Sequence, residues 1–219
     1  MPKVRQDNYI PALGFHFLTP AYDAVVRMTT RERTFKAALV VQADAQAGQR
    51  VLDLACGTGT LAIWIKKSCP GAEVVAIDGD IKILDRARSK ARRAGAVIQF
   101  DQGLSYDLPY PDGHFDCVTS SLFFHHLSWA DKERTARELH RVIRPGGQLH
   151  VADWGRATGL LMRAAFFGIQ LLDGFENTRD HVKGKLPELF TAAGFVEVSQ
   201  TQAFSTAFGT MALCRAARK

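Results

Sequence analysis

Few residues in this chain could staple or anchor it. Among its 219 residues are four cysteines, Cys56, Cys69, Cys117 and Cys214. They are scattered, with no CxxC pair and no histidine at zinc-ligand spacing, which argues against a disulfide framework and against a structural metal site. Each cysteine reads as a small buried hydrophobe or a bystander. The opening stretch, MPKVRQDNYIPALGFHF, has neither a charged-then-apolar leader nor a small-residue cleavage site, so no export signal is expected and the expected address is the cytoplasm. The apolar stretch GLLMRAAFFGIQLL is too short to cross a bilayer and is interrupted by Arg163 and Gln170, so it reads as a packed or pocket-covering helix. No transmembrane segment is expected, while peripheral contact with a membrane stays open. Repeats, low-complexity tracts and interdomain linkers are also lacking.

What is present fits one globular domain: 47% hydrophobic and 23% charged residues, with enough chain to bury a sizeable core. The net charge of +6 permits an anionic partner without identifying one. Much of it is local. From Ile81 to Ala94, the basic residues Lys82, Arg86, Arg88, Lys90, Arg92 and Arg93 face only Asp85, while Ile83, Leu84, Ala87, Ala91 and Ala94 recur at helical spacing. The pattern predicts an amphipathic helix with a basic solvated face. RNA binding should bring aromatic residues among the basic ones, and this stretch has none, so nucleic acid is not the expected partner.

Two short apolar runs, VLDLA from Val51 and VVAID from Val74, flank a helix-compatible segment and read as strand, helix, strand. Further strands are expected at VIQF near Val97, FDCVTSS near Phe115 and QLHVADW near Gln148. A helix from Trp129 to Ile143, with Ala136, Leu139, Val142 and Ile143 inward, is expected to end at Pro145, Gly146 and Gly147. Beyond Trp154 the pattern predicts helices over Leu160–Leu172 and Leu186–Ala193, then two strands near Phe195 and Met211 forming an antiparallel hairpin on the sheet edge. Upstream, Ala21–Val41 is helix-compatible, and Tyr9, Phe15, His16, Phe17 and Tyr22 form an aromatic entry that could cover a site. The expected fold is α/β: Rossmann-like, doubly wound, with a mostly parallel seven-stranded sheet. The expected division is a helical lid over 1–48, a cofactor-binding core over 49–154, a helical substrate-side insertion over 155–194 and terminal strands over 195–219.

A parallel sheet places ligands beyond the carboxyl ends of its strands, where the turn CGTGT follows VLDLA. Gly57 and Gly59 let the backbone turn sharply and let a ligand approach its amides. Asp78, closing the second strand, can accept hydrogen bonds from both hydroxyls of a ribose. Gly57, Gly59 and Ala62 also satisfy the dinucleotide pattern, with Asp78 about 20 residues on, so on these residues alone NAD fits as well.

From Gln49 to Trp154 the sequence resembles the class I S-adenosylmethionine-dependent methyltransferases. VLDLACGTGT matches their first motif, acidic-x-Gly-x-Gly-x-Gly, except that Ala55 replaces the first glycine. VVAID, QGLSYDLPYPDGHFDCV, SSLFFHHL and RVIRPGG follow in the family's order. The resemblance implies S-adenosylmethionine as cofactor. Asp53 would orient its methionine end, the backbone from Ala55 and Cys56 through Gly57 to Gly59 would line it, Asp78 would hold the ribose, and Gly79 would allow close approach. Ser120, at the end of the FDCVTSS strand, joins this expected cofactor set. Where the family has an acidic residue near the adenine, this chain has Leu104, with Ser105 or backbone amides as substitutes.

Methyl transfer is an in-line displacement that placement alone can accelerate, so a base is not mandatory. No nucleophile-elbow serine, HExxH motif or Asn/Asp-Pro-Pro-Tyr/Phe signature of amino-methylating nucleic-acid enzymes is present. For a hydroxyl or acidic-carbon acceptor, His126 is the first candidate base, with His125 and Asp153 also at expected strand ends. His181 with Asp180 could enter the pocket, and Trp154 with Phe166, Phe167 and Phe175 could line it. The LPYPDGHFD and HHL stretches resemble methyltransferases of quinone, sterol or phospholipid-type substrates, which implies a small or lipid-like acceptor. An NAD-dependent oxidoreductase and a noncatalytic cofactor-binding interaction protein are the alternatives.

Overall fold

The computed structural model describes residues 31–156, 184–207 and 209–219. The aromatic entry, the stretch 21–30, the helix expected over Leu160–Leu172, and Phe166, Phe167, Phe175, Asp180 and His181 lie outside the described residues. In chain order the elements are α1 (Glu32–Ala43), β1 (Arg50–Leu54), α2 (Thr60–Ser68), β2 (Glu73–Asp78), α3 (Ile81–Arg93), β3 (Gln99–Gln102), β4 (Phe115–Ser121), a single 3-10 turn (Phe124–His126), α4 (Trp129–Val142), β5 (Ile143–Trp154), α5 (Leu186–Ala192), β6 (Val196–Thr206) and β7 (Gly209–Ala217).

The described strands form one seven-stranded sheet in the order β3-β2-β1-β4-β5-β7-β6. The first five strands run parallel; β7 is antiparallel to both β5 and β6. The expected edge hairpin is therefore present, with its second strand turned inward. Because side chains alternate along a strand, Leu52, Leu54, Val118, Leu149 and Val151 enter one core with residues of α4 and α5. Val51, Cys117, Ala152 and Trp154 enter the other with α1 and α2. Covering both faces makes the central strands read as nearly continuous apolar runs. Phe115, Phe124 and Phe190 are fully buried, and each such side chain contributes on the order of 2–3 kcal/mol.

Helix α3 matches its pattern: Leu84, Ala87 and Ala91 are buried, and Asp80 caps its start by accepting the Lys82 N–H. Two boundaries depart from expectation. Strand β3 begins at Gln99, and Val97 is 82% exposed. More informatively, Pro145-Gly146-Gly147 follows the helix end as expected, but lies inside a strand that begins well before Gln148. Helix α4 stops at Val142, and Ile143 already pairs with Phe115 on β4. The register then shifts, with Cys117 facing Gln148, so the proline and glycines form an irregularity inside β5. A side chain at Gly147 would come within 2.6 Å of Ile143 and 2.8 Å of the Asp116 carbonyl, which is why this bulge needs glycine.

Candidate active site

The carboxyl ends of β1, β2, β4 and β5 bring the polar residues together. Directly after β1 the chain turns through Ala55 (φ 53°), and Gly57 (φ 54°) and Gly59 (φ 72°) share the left-handed backbone. The residue standing in place of the family's first glycine therefore occupies a conformation that costs an L-residue about 1 kcal/mol or more. The two glycines do different work. A side chain at Gly57 would meet nothing within 4 Å, so this position faces open space. At Gly59 it would press on Ala87 of α3 at 3.1 Å and Phe100 of β3 at 3.3 Å, so this glycine lets helix and strand close together.

Asp78 braces the turn from the neighbouring strand end. Its carboxylate accepts the Gly57 N–H at 2.9 Å and the Asp80 N–H at 3.0 Å. Burial raises its pKa against the pull of those amides. A carboxylate has acceptor capacity beyond two amides, so Asp78 can also serve hydroxyls above the strand end. Gly79, the next residue, is half-buried and its carbonyl accepts the Gln102 amide. Asp53 is 1% exposed, and its carboxylate accepts the Ala62 N–H at 3.0 Å from the first turn of α2. Burial pushes its pKa up to about 7, with Lys36 of α1 the strongest opposing influence. Cys56 is buried, and desolvation first, then Asp53 and Asp78, hold its thiol protonated, so it acts as packing.

Three expected contacts are committed elsewhere. The Ser105 hydroxyl meets Thr135 on α4 at 2.8 Å, within the protein. Ser120 donates to the Leu54 carbonyl at 3.1 Å, locking β4 to β1. Leu104 is half-buried in an isolated bridge with Asp107, presenting an apolar side chain where an acidic one is usual in the family.

On the β4 and β5 side, His125 and Asp153 come together. His125 is 4% exposed, and its Nδ1 lies 2.7 Å from Asp153 Oδ1; Asp153 is 1% exposed. The carboxylate also accepts the Phe123 N–H at 3.1 Å and its neighbour Trp154's N–H at 2.7 Å. A carboxylate opposite Nδ1 requires a proton on that nitrogen, which leaves the neutral ring's lone pair on Nε2. His126 is half-buried and its ring centroid lies 3.9 Å from that of His125. Of the two histidines it is thus His125, the second choice from sequence, that the fold pairs with Asp153. Trp154 packs edge-on to His125 at 6.4 Å. Leu122, directly after the strand beside these residues, has φ 55° and, like Ala55, is a non-glycine residue in the left-handed region.

Thr119 and His150 are buried polar residues that the sequence pattern does not single out. Thr119 donates to the Leu52 carbonyl and lies within 3.5 Å of Asp53. His150, its register neighbour on β5, takes a hydrogen bond from the Gln42 amide at Nδ1 (3.1 Å), while its Nε2 has no partner among the described residues. Burial lowers its pKa to about 4. The signal was a histidine centred in an otherwise apolar strand.

A glycine turn after β1, an acidic residue closing β2, and a parallel sheet whose last strand is inserted antiparallel define a Rossmann-like protein that binds a nucleoside cofactor. The family model of a methyltransferase domain matches residues 51–147. A demethylmenaquinone methyltransferase of Thermus thermophilus is 38% identical over 158 residues, covering 69% of this chain and 71% of that protein. One from Deinococcus radiodurans is 36% identical over 154 residues, covering 69% and 63%. Among solved structures, the YcgJ protein of Bacillus subtilis superposes with a TM-score of 0.68 at 18% identity, covering 84% of this chain and 97% of that one. A putative methyltransferase of Haloferax volcanii, solved with the Trm112 activator, gives 0.68 at 20% identity, covering 94% and 100%. The last two show the fold. The chain belongs to the class I S-adenosylmethionine-dependent methyltransferases, whose cofactor is S-adenosylmethionine. The oxidoreductase and noncatalytic alternatives find no support. The strand order also departs from the 3-2-1-4-5-6 arrangement of dinucleotide-binding sheets.

Proposed function

We propose that this methyltransferase acts on a small, lipid-like aromatic acceptor of quinol type, and that His125, held by Asp153, is its general base. The observation that carries the base assignment is the buried dyad at the ends of β4 and β5, beside the strand ends that bear the cofactor turn. The acceptor class rests on relatives named as demethylmenaquinone methyltransferases. No helix among the described residues is long and apolar enough to cross a membrane. Four unpaired cysteines accord with work in the reducing cytoplasm.

The site's residues fit the cofactor: open space at Gly57, a carboxylate at the end of β2 for ribose hydroxyls, and a second acidic group at Asp53 for the methionine end. The backbone from Ala55 to Gly59 would line it, Gly79 would permit close approach, and Leu104 with backbone amides would meet the adenine, the Ser105 hydroxyl being engaged by Thr135. When bound, S-adenosylmethionine supplies an electrophilic sulfonium methyl group. Asp153 fixes the His125 ring and its tautomer. Nε2 then takes the proton of an acceptor hydroxyl, and the imidazolium formed is stabilised by the carboxylate beside it. A ring carbon made electron-rich in this way would take the methyl as its bond to sulfur breaks, leaving S-adenosylhomocysteine. That carbon would then lose its own proton to restore the aromatic ring, and the imidazolium can return a proton to the oxygen.

The test is transfer of labelled methyl from S-adenosylmethionine to demethylated naphthoquinols of varied tail length, with wild-type protein and His125→Ala. Methylation by the wild type that collapses in the variant supports the reading. No transfer to any quinol, with S-adenosylhomocysteine still bound, would exclude the acceptor class.

A further inference from the structure

Helix α1 contains a charge where its pattern calls for an apolar residue. Phe35, Leu39 and Ala43 form its buried stripe, and Lys36, beside Phe35, is 9% exposed. Its ammonium contacts Glu32 one turn earlier at 2.6 Å, and the two side chains are only 11% and 14% exposed. Surface pairs of this spacing contribute little, but a buried ammonium carries three donors that need partners. Among the described residues, Glu32 is its one hydrogen-bond partner. Helix α1 packs in the same core as Cys56, Leu61, Trp154 and Met211, so Lys36 sits on the sheet face that Asp53 shares. Its charge is felt at both Asp53 and Cys56, which bracket the start of the turn.

We propose that Lys36 takes the α-carboxylate of the cofactor's methionine end, and that with Asp53 and Glu32 it forms a site for a zwitterionic amino acid. This rests on the cofactor reading above. Glu32 and Asp53 are anionic and Lys36 cationic, leaving one net negative charge when Asp53 is ionised. The methionine end of S-adenosylmethionine carries an ammonium, a carboxylate and a sulfonium, one net positive charge. The filled site is therefore neutral, a condition for burying charge without a large desolvation cost. Lys36 supplies the donors that neither acidic residue can, and Glu32 holds the lysine ammonium in place through one of its three donors before ligand arrives. Lys36 acts in binding and takes no part in the chemistry at the acceptor.

Calorimetric titration with S-adenosylhomocysteine and with its decarboxylated analogue, which keeps the ammonium, separates these roles. Lys36→Met, which preserves the stem's bulk, should weaken S-adenosylhomocysteine roughly ten- to a hundredfold while changing the analogue by about twofold or less. Lys36→Arg should restore most of the loss. Should Lys36→Met melt below the assay temperature, Lys36→Gln and Lys36→Arg carry the same two-ligand comparison. Unchanged S-adenosylhomocysteine binding, or equal losses for both ligands, would overturn the proposal while leaving the cofactor reading intact. Wild-type protein that binds neither ligand would overturn that reading as well.

Discussion

On the β1-β2-β3 side of the sheet, the site is built from backbone: Gly57 donates to Asp78, Ala62 donates to Asp53, and the conformations of Ala55, Gly57 and Gly59 set the turn. On the β4-β5-β7 side it is built from side chains meeting across elements, with His125 brought to Asp153 from 28 residues away. The first half presents a shape that any chain with this turn would present. The second presents one particular chemistry, set by two residues. Cofactor recognition and acceptor chemistry should therefore separate cleanly under mutation.

The largest expected effect tests that separation. His125→Ala should lower kcat by roughly a hundred- to ten-thousandfold, the range for loss of a general base, while affinity for S-adenosylhomocysteine stays within about twofold. Asp153→Asn should follow it in direction. A parallel collapse of cofactor affinity would mean that the dyad is a structural clamp and that the two halves are not independent.

Next comes a pH effect confined to the cofactor half. Asp53 has its pKa raised from 3.8 to about 7, so the ionised form is disfavoured in the fold. Its contribution is fully present below the unfolded value and is lost as pH rises through about 7, a ceiling on the order of 4 kcal/mol. His150 opposes this trend over the same window, so the decline should appear between pH 4 and 7 as a falling difference in stability between the wild type and Asp53→Asn. An Asn variant with the wild-type pH profile would remove Asp53 as the cause. His150 runs the other way: with its pKa lowered to about 4, stability falls as pH drops from 6.5.

A smaller effect is expected at Asp78. Asp78→Ala should weaken S-adenosylhomocysteine roughly ten- to a hundredfold, corresponding to charge-assisted hydrogen bonds of about 1.5–3 kcal/mol. Unchanged affinity measured by calorimetry would move the ribose away from the end of β2. The smallest is at Ala55: Ala55→Gly relieves a φ of 53° and should change stability by about 1 kcal/mol or less, since relief of strain is offset by the freer unfolded chain. A clear loss of thermal stability would show that the alanine methyl packs usefully.

The same comparison explains what was legible. Gly57, Gly59 and Asp78 belong to one strand-turn-helix-strand unit, so spacing alone places them, and the alternation of apolar runs and helices gives the parallel core. His125 and Asp153 could be named from sequence as lying at strand ends, but their pairing depends on the β4–β5 register. The choice between adjacent histidines depends on the 3-10 turn after Leu122. Lys36 was hidden because its meaning comes from what α1 packs against, although a lysine beside Phe35 in a buried stripe was a readable signal. The proline-glycine segment follows its helix as expected, but its place inside β5 was not legible, because residues that stop helices also form bulges and only the pairing of Ile143 with Phe115 reveals the strand.

The inward turn of the final strand bears on how the chain reaches its native state. Strand β5, which carries Asp153, is flanked on one side by β4 and on the other by β7, formed by residues 209–217. The β1-β2-β3 unit closes through neighbouring segments, whereas Asp153 pairs with Ala212 across a separation of some sixty residues. Contacts that distant form late, since the entropy of closing the intervening chain must be overcome first. During synthesis the cofactor turn can take shape while the dyad's strand still has an open edge. The proposed dyad is then completed as one of the last events of folding, after the turn that would hold the cofactor.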